Sequence, residues 1–212
     1  MQVVVAGGHG QIAQHLLALL AGRGDRAQGL IRNPDHGGDL EALSAEAVIC
    51  DLEQEDDLSS FVSGADAVVF AAGAGPGSGP ERKKTVDLGG VVKLIDAARK
   101  EGIRRYVIVS SIGADDPSRG SEQMRPYLEA KAEADRRLAD SGLDYTIVRP
   151  GGLTNDPGTG RVSAGPNVER GEIPREDVAA TLATVLRADN TIGKTFTLVG
   201  GETPIEEAVR SL

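Results

Sequence analysis

Only three tyrosines and six lysines occur in the 212 residues, yet Tyr127-Leu128-Glu129-Ala130-Lys131 sets one of each four positions apart. On a helix, residues i and i+4 share a face. Pro126 suits the first helical position, which puts Tyr127 in the first turn, at the positive end of the helix dipole. That dipole and a neighbouring ammonium both favour the phenolate, as a general acid–base group requires. The alternative is an amphipathic surface pair without chemistry. A second feature is Ala6-Gly7-Gly8-His9-Gly10-Gln11-Ile12-Ala13, readable as Gly7-x-x-Gly10-x-x-Ala13 or as Gly8-x-Gly10-x-x-Ala13. Glycines there allow a tight turn and a close approach of backbone to a pyrophosphate. Ala13 is small enough for helix–strand packing, and free N–H groups at the helix start would face the anion. A dinucleotide site is the functional reading, and a tight turn with no ligand is the structural one.

Such residues need a scaffold, and the rest of the chain supplies one. Near-continuous apolar runs at Val3–Ala6, Gly29–Arg32, Ala47–Cys50, Ala67–Ala71, Tyr106–Ser110, Tyr145–Arg149 and Thr195–Val199 suit strands buried on both faces of a parallel sheet. Helical patterns lie between them at about Gly10–Ala21, Leu58–Ser63, Arg82–Glu101, Pro126–Ser141 and Arg175–Ala188. Gly22, Gly102 and Gly142 stand where a left-handed helix cap is wanted. The expectation is an α/β fold: a Rossmann-type doubly wound parallel sheet of strand order 3-2-1-4-5-6-7. Residues 1–212 would form a single domain, with 151–212 as a small substrate-side extension. The Gly/Pro-rich segments Gly73–Pro80 and Asn155–Pro174 would then be loops at the carboxyl edge of the sheet, where ligands bind.

The second strand ends Ile31-Arg32-Asn33 without the carboxylate that usually holds a ribose 2′-hydroxyl. A guanidinium there can pair with a 2′-phosphate, so NADP(H) is expected over NAD(H). After the third strand, Asp51 with Leu52 beside it falls at the adenine. Asp51 would either accept from the adenine amino group or cap the next helix.

Composition narrows the partners. A net charge of −9 and 3% aromatic residues argue against binding nucleic acid. One cysteine, Cys50, and three early histidines without ligand spacing give no metal site. With no apolar run of membrane-spanning length and no leader pattern, a cytoplasmic protein off the membrane is expected.

In order, the glycine loop, Val109-Ser110-Ser111, Tyr127-x-x-x-Lys131 and Ser141-Gly142-Leu143-Asp144-Tyr145-Thr146-Ile147-Val148-Arg149-Pro150-Gly151 resemble the short-chain dehydrogenase/reductase superfamily. The best fit is its atypical branch of small NAD(P)H-binding proteins, near the epimerase/dehydratase-like and biliverdin/flavin-reductase-like members. The resemblance implies a proton-transfer role for Tyr127, and for Lys131 a hold on the nicotinamide ribose. It implies that Ser111, or less directly Ser110, orients the substrate oxygen. Ala71-Ala72-Gly73 would pass close to the cofactor, and Pro150-Gly151 would border the nicotinamide. The sequence departs from the pattern at Ala13, where the last loop glycine usually stands, and near Asp87, where extended relatives commonly carry Asn.

Only 62 residues follow Pro150, too few to enclose a sugar nucleotide as the extended enzymes do. The leading expectation is an NADPH-dependent reductase of a small carbonyl, quinone or flavin-like acceptor. The competing readings are a non-catalytic NADP-sensing regulatory protein and a small-sugar epimerase or dehydratase with internal redox. Arg161 and Arg170 fall in the second Gly/Pro-rich loop, where they would either meet an anion or, the favoured reading, stand as solvated loop cations. The charged face Glu129, Glu133, Arg136 and Arg137 favours a monomer over a dimer.

Overall fold

The computed structural model describes residues 1–75 and 78–212, so residues 76 and 77 of the expected Gly73–Pro80 loop lie outside the described residues. In chain order the strands are β1 (Gln2–Ala6), β2 (Arg26–Ile31), β3 (Glu46–Ile49), β4 (Ala67–Phe70), β5 (Arg105–Val109), β6 (Asp144–Pro150), β7 (Gly152–Thr154), β8 (Arg161–Gly165), β9 (Glu172–Pro174), β10 (Lys194–Gly200) and β11 (Thr203–Pro204). The helices are α1 (Gln11–Gly22), α2 (Gly37–Ala42), α3 (Ser59–Val62), α4 (Pro80–Arg82), α5 (Val91–Lys100), α6 (Arg125–Ala139), α7 (Arg175–Val185) and α8 (Ile205–Arg210). Between α4 and α5 the chain stays helical with π-type hydrogen bonding over Lys83–Gly90.

Seven parallel strands follow the order β3-β2-β1-β4-β5-β6-β10, the expected doubly wound arrangement. Alternate residues of each strand feed opposite cores. Val3 and Val5 of β1 pack with Leu16 and Leu17 of α1 and Leu182 of α7. Val4 and Ala6 face the side occupied by Leu58, Leu94 and Leu138 from the region of α3, α5 and α6. Burial on both faces is why these strands read as continuous apolar runs.

Two expectations need correction, and one helix was not anticipated. Asn155–Pro174 is not simply a loop: β8 pairs antiparallel with β10, β11 pairs antiparallel with β8, and β9 forms a separate parallel pair with β7. Gly22 ends α1 without a left-handed turn; Gly24, at φ +77°, makes that turn instead, whereas Gly102 and Gly142 adopt it as expected. Helix α2, with Gly37 and Gly38 in its first turn, has no counterpart in the sequence reading, because two glycines there dilute helix propensity.

Candidate functional site

The loop after β1 turns at Gly7, at φ +82°, and a Cβ there would stand 2.6 Å from Ala72 Cα. Gly8 is turned towards the sheet: its N–H donates to the Leu30 carbonyl at 2.9 Å, and a Cβ would lie 2.7 Å from Gly29 Cα. Gly10 donates to the Gly7 carbonyl at 2.8 Å and starts α1. No side chain caps this helix and its first turn holds no acidic residue, so the N–H groups of Gln11, Ile12 and Ala13 find no acceptor among the described residues. The residues thus fit a pyrophosphate, which would complete the donors of an uncapped helix start.

Beside this loop opens a cleft of about 320 Å³ lined by Gly7, His9, Gly10, Arg32, Asp51, Leu52, Ala71, Ala72 and Gly73, among others. Nine of the sequence-derived cofactor residues therefore share one concavity at the carboxyl edge of the sheet. Asp51 also behaves as a turn cap, accepting from the Glu53 N–H at 2.9 Å. The sequence reading missed Glu53, Arg82 and His36, which line the same cleft. Glu53 pairs with Arg82 at 3.1 Å and Arg32 at 3.6 Å, and accepts from the Thr85 hydroxyl at 2.8 Å. His9 stacks on His36 with ring centroids 3.6 Å apart and meets Asp39 at 2.8 Å. Cys50, in the cleft wall, is buried; burial, then Glu55 and Asp51, push its thiol up to about 11.

Helix α6 carries the second group. Pro126 and Tyr127 lie in its first turn, and Lys131, one turn on, is only 3% exposed. Its Nζ donates to the Val109 carbonyl at 3.2 Å and stands 5.8 Å from the Tyr127 ring centroid and 5.9 Å from that of Phe70. Opposite it is Asp87, fully buried in the π-type segment, with Oδ1 3.2 Å from Nζ. Asp87 Oδ2 accepts from the Ala74 N–H at 3.2 Å, whereas Oδ1 accepts no hydrogen bond among the described residues. A Cβ on Gly73 would lie 3.4 Å from that oxygen. Asp87 thus joins the π-type segment after β4 to Lys131.

The two serines differ. Ser110 is buried and donates to Asp135 at 2.9 Å, and Asp135 also holds Arg149 at 2.9 Å. Burial raises the Asp135 carboxyl above its ordinary range, against the opposing pull of Arg149 and Ser110. Ser111 is half-buried, and among the described residues its hydroxyl donates only to the Ile112 carbonyl, at 3.3 Å. Pro150 ends β6, and a Cβ on Gly151 would collide with the Gly171 carbonyl. Arg161, in β8, is committed to the Glu202 carbonyl.

The NAD(P)H-binding family model matches residues 7–189, from the glycine turn to beyond α7. The chain belongs to the NAD(P)H-binding family. This NAD(P)H-binding protein is 42% identical to the uncharacterized sugar epimerase YhfK of Bacillus subtilis, over the whole of both chains. A Bacillus halodurans structure described provisionally as an NAD-dependent epimerase/dehydratase superposes with a TM-score of 0.96 at 42% identity, with each chain fully covered. Sanguinarine reductase of Eschscholzia californica is 33% identical over 74% of this chain and 63% of its own. The resemblance to the atypical branch of the short-chain dehydrogenase/reductase superfamily is borne out, and the family match supports a nicotinamide cofactor. Among the described residues of this family member, no helix is long and apolar enough to cross a membrane.

Proposed function

We propose that the protein is an NADPH-dependent reductase of a small carbonyl acceptor. The observation that carries this reading is Tyr127 one turn from a buried Lys131 whose amine faces Asp87, beside the turn that presents Ser111. The glycine turn and the free N–H groups of α1 would hold the pyrophosphate, and Asp51, Leu52 and Ala71–Gly73 the adenosine side. Arg32 and Arg82 would pair with a 2′-phosphate, which favours NADP(H). When bound, the reduced nicotinamide supplies the hydride that converts C=O towards C–O⁻. Tyr127 gives its phenolic proton to that oxygen and regains one from solvent. Lys131 offers positive charge near the phenolate and a donor to the ribose. Ser111 orients the acceptor oxygen, because its hydroxyl is not engaged by a carboxylate as that of Ser110 is. Pro150 and Gly151 would border the nicotinamide.

Replacing Tyr127 by Phe should lower kcat for aldehyde reduction by roughly 10²- to 10⁴-fold, with NADPH affinity unchanged. Unchanged aldehyde turnover in Tyr127→Phe would refute proton donation by this residue. The name of the Bacillus subtilis relative supports a second reading, internal redox on a small sugar. It is distinguished by product formation with catalytic NADP and no net change at 340 nm.

A further inference from the structure

The segment before β9 carries a cation whose placement neither the fold nor the cofactor explains. Gly171 is pinned against the end of β6: its carbonyl accepts from the Gly152 N–H at 2.9 Å, and a Cβ on Gly171 would stand 3.3 Å from Val199 Cβ in β10. The residue before it, Arg170, extends to the opposite wall. There its Nη2 lies 3.3 Å from where a Gly113 Cβ would be. Gly113, at φ +89°, sits in the turn closed by the Ala114 N–H on the Ser111 carbonyl at 3.1 Å. Leu128, next to Tyr127, approaches the same point at 3.6 Å.

The Arg170 side chain therefore reaches from a backbone segment that packs beside Gly151 to the turn that starts at Ser111. It rests on a face where glycine leaves room. Other arginines of this region have partners: Arg149 pairs with Asp135, Arg161 donates to the Glu202 carbonyl, and Arg175 donates to Asn155. Arg170 has none among the described residues, and it is exposed. A planar guanidinium lying against the Gly113 turn, with no counter-charge among the described residues, matches a carboxylate.

We infer that Arg170 is a specificity-determining residue that recognises a carboxylate on the acceptor, so that the substrate class is anionic carbonyl compounds. This rests on the reductase reading for where the acceptor lies. The test compares 4-carboxybenzaldehyde with its uncharged methyl ester, in wild type and Arg170→Ala, with NADPH. The wild type should prefer the acid. In the variant KM for the acid should rise about tenfold, as expected for losing a charge-assisted hydrogen bond at an accessible site, with KM for the ester unchanged. Calorimetric binding of 4-carboxybenzyl alcohol to the NADP-loaded protein supplies a readout independent of turnover, and Arg170→Gln replaces the alanine variant if that fails to fold. Arg170-dependent binding without turnover of either aldehyde would keep the carboxylate site and discard carbonyl reduction. Equal handling of acid and ester by both proteins, or acid binding that is absent or indifferent to Arg170, overturns the inference and leaves a solvated loop arginine.

Discussion

Glu53 is the residue through which cofactor choice can be tested most directly. Its carboxylate lies 3.1 Å from Arg82 and 3.6 Å from Arg32, the two cations assigned to a 2′-phosphate. Glu53 engages both, so if the proposed NADPH binds there two anions would compete for them. The Glu53 side chain is 24% exposed and those of Arg32 and Arg82 are 57% and 39% exposed, so the interactions are solvent-screened. A monoanion about 6 Å from a phosphate of charge about −2 costs roughly 1–3 kcal/mol in a water-rich cleft, reduced to about 1 kcal/mol by physiological salt. Glu53→Gln should therefore tighten NADPH roughly fivefold, leave NADH within about twofold, and lose part of its gain as salt rises. The assay is a titration followed by nicotinamide fluorescence, which is clean here because the chain has no tryptophan. Weaker binding of both cofactors in Glu53→Gln would refute the reasoning, since it would mean that the carboxylate holds ribose hydroxyls and does not oppose a phosphate.

Three further outcomes follow from the buried groups. Cys50, with its thiol pushed up to about 11, should react with iodoacetamide at pH 8 roughly a hundredfold or more slower than a free cysteine, as read by intact mass against time. Arg105 is buried and donates to the carbonyls of Asp144 and Val185 and to the hydroxyls of Thr146 and Thr191, so Arg105→Met should cost about 3 kcal/mol in urea unfolding. Burial opposes the charge of Asp25, but the Met1 ammonium and Arg187, at 2.7 and 2.6 Å, outweigh it and hold the carboxyl below its ordinary value. A depressed carboxyl contributes stability above its unfolded pKa and loses it as pH falls through the folded one. Asp25→Asn should thus cost about 1 kcal/mol at pH 7, with the gap to wild type closing below about pH 4.

The parallel strands were legible because burial on both faces writes itself into local composition: Val3 to Ala6 and Ala67 to Phe70 contain nothing polar. Strand β8 was not, because Arg161, Ser163 and Gly165 carry no such signal. What makes it a strand is the edge that β10 offers from more than thirty residues later, with Ala164 set against Leu198. The same dependence on a distant partner hid β9, whose three residues pair with β7 only after the chain has folded back on Gly151. Gly8 shows the converse. Its type was read as a phosphate feature, yet the contact that forbids a side chain there is Gly29 on the neighbouring strand.

The candidate site divides along the same line. Tyr127 and Lys131 are four apart on one helix, so spacing alone brings them to one face. Asp87 lies 44 positions before Lys131, and only the adjacency of β4 and β5 brings its helix against α6. That partner changes what the lysine can do. An ammonium has three N–H donors and no acceptor. One goes to the Val109 carbonyl and another side faces Asp87, both at 3.2 Å, inside a site where Lys131 is 3% exposed and Asp87 fully buried. Two charges so enclosed depend on each other, because removing either leaves the other unpaired in a low-dielectric setting. The ammonium is thereby set between the Val109 carbonyl and the Asp87 charge, with donor capacity left over among the described residues. A cofactor ribose would meet a preset donor. The site around Lys131 is therefore a unit of three residues, of which the sequence spacing displays two.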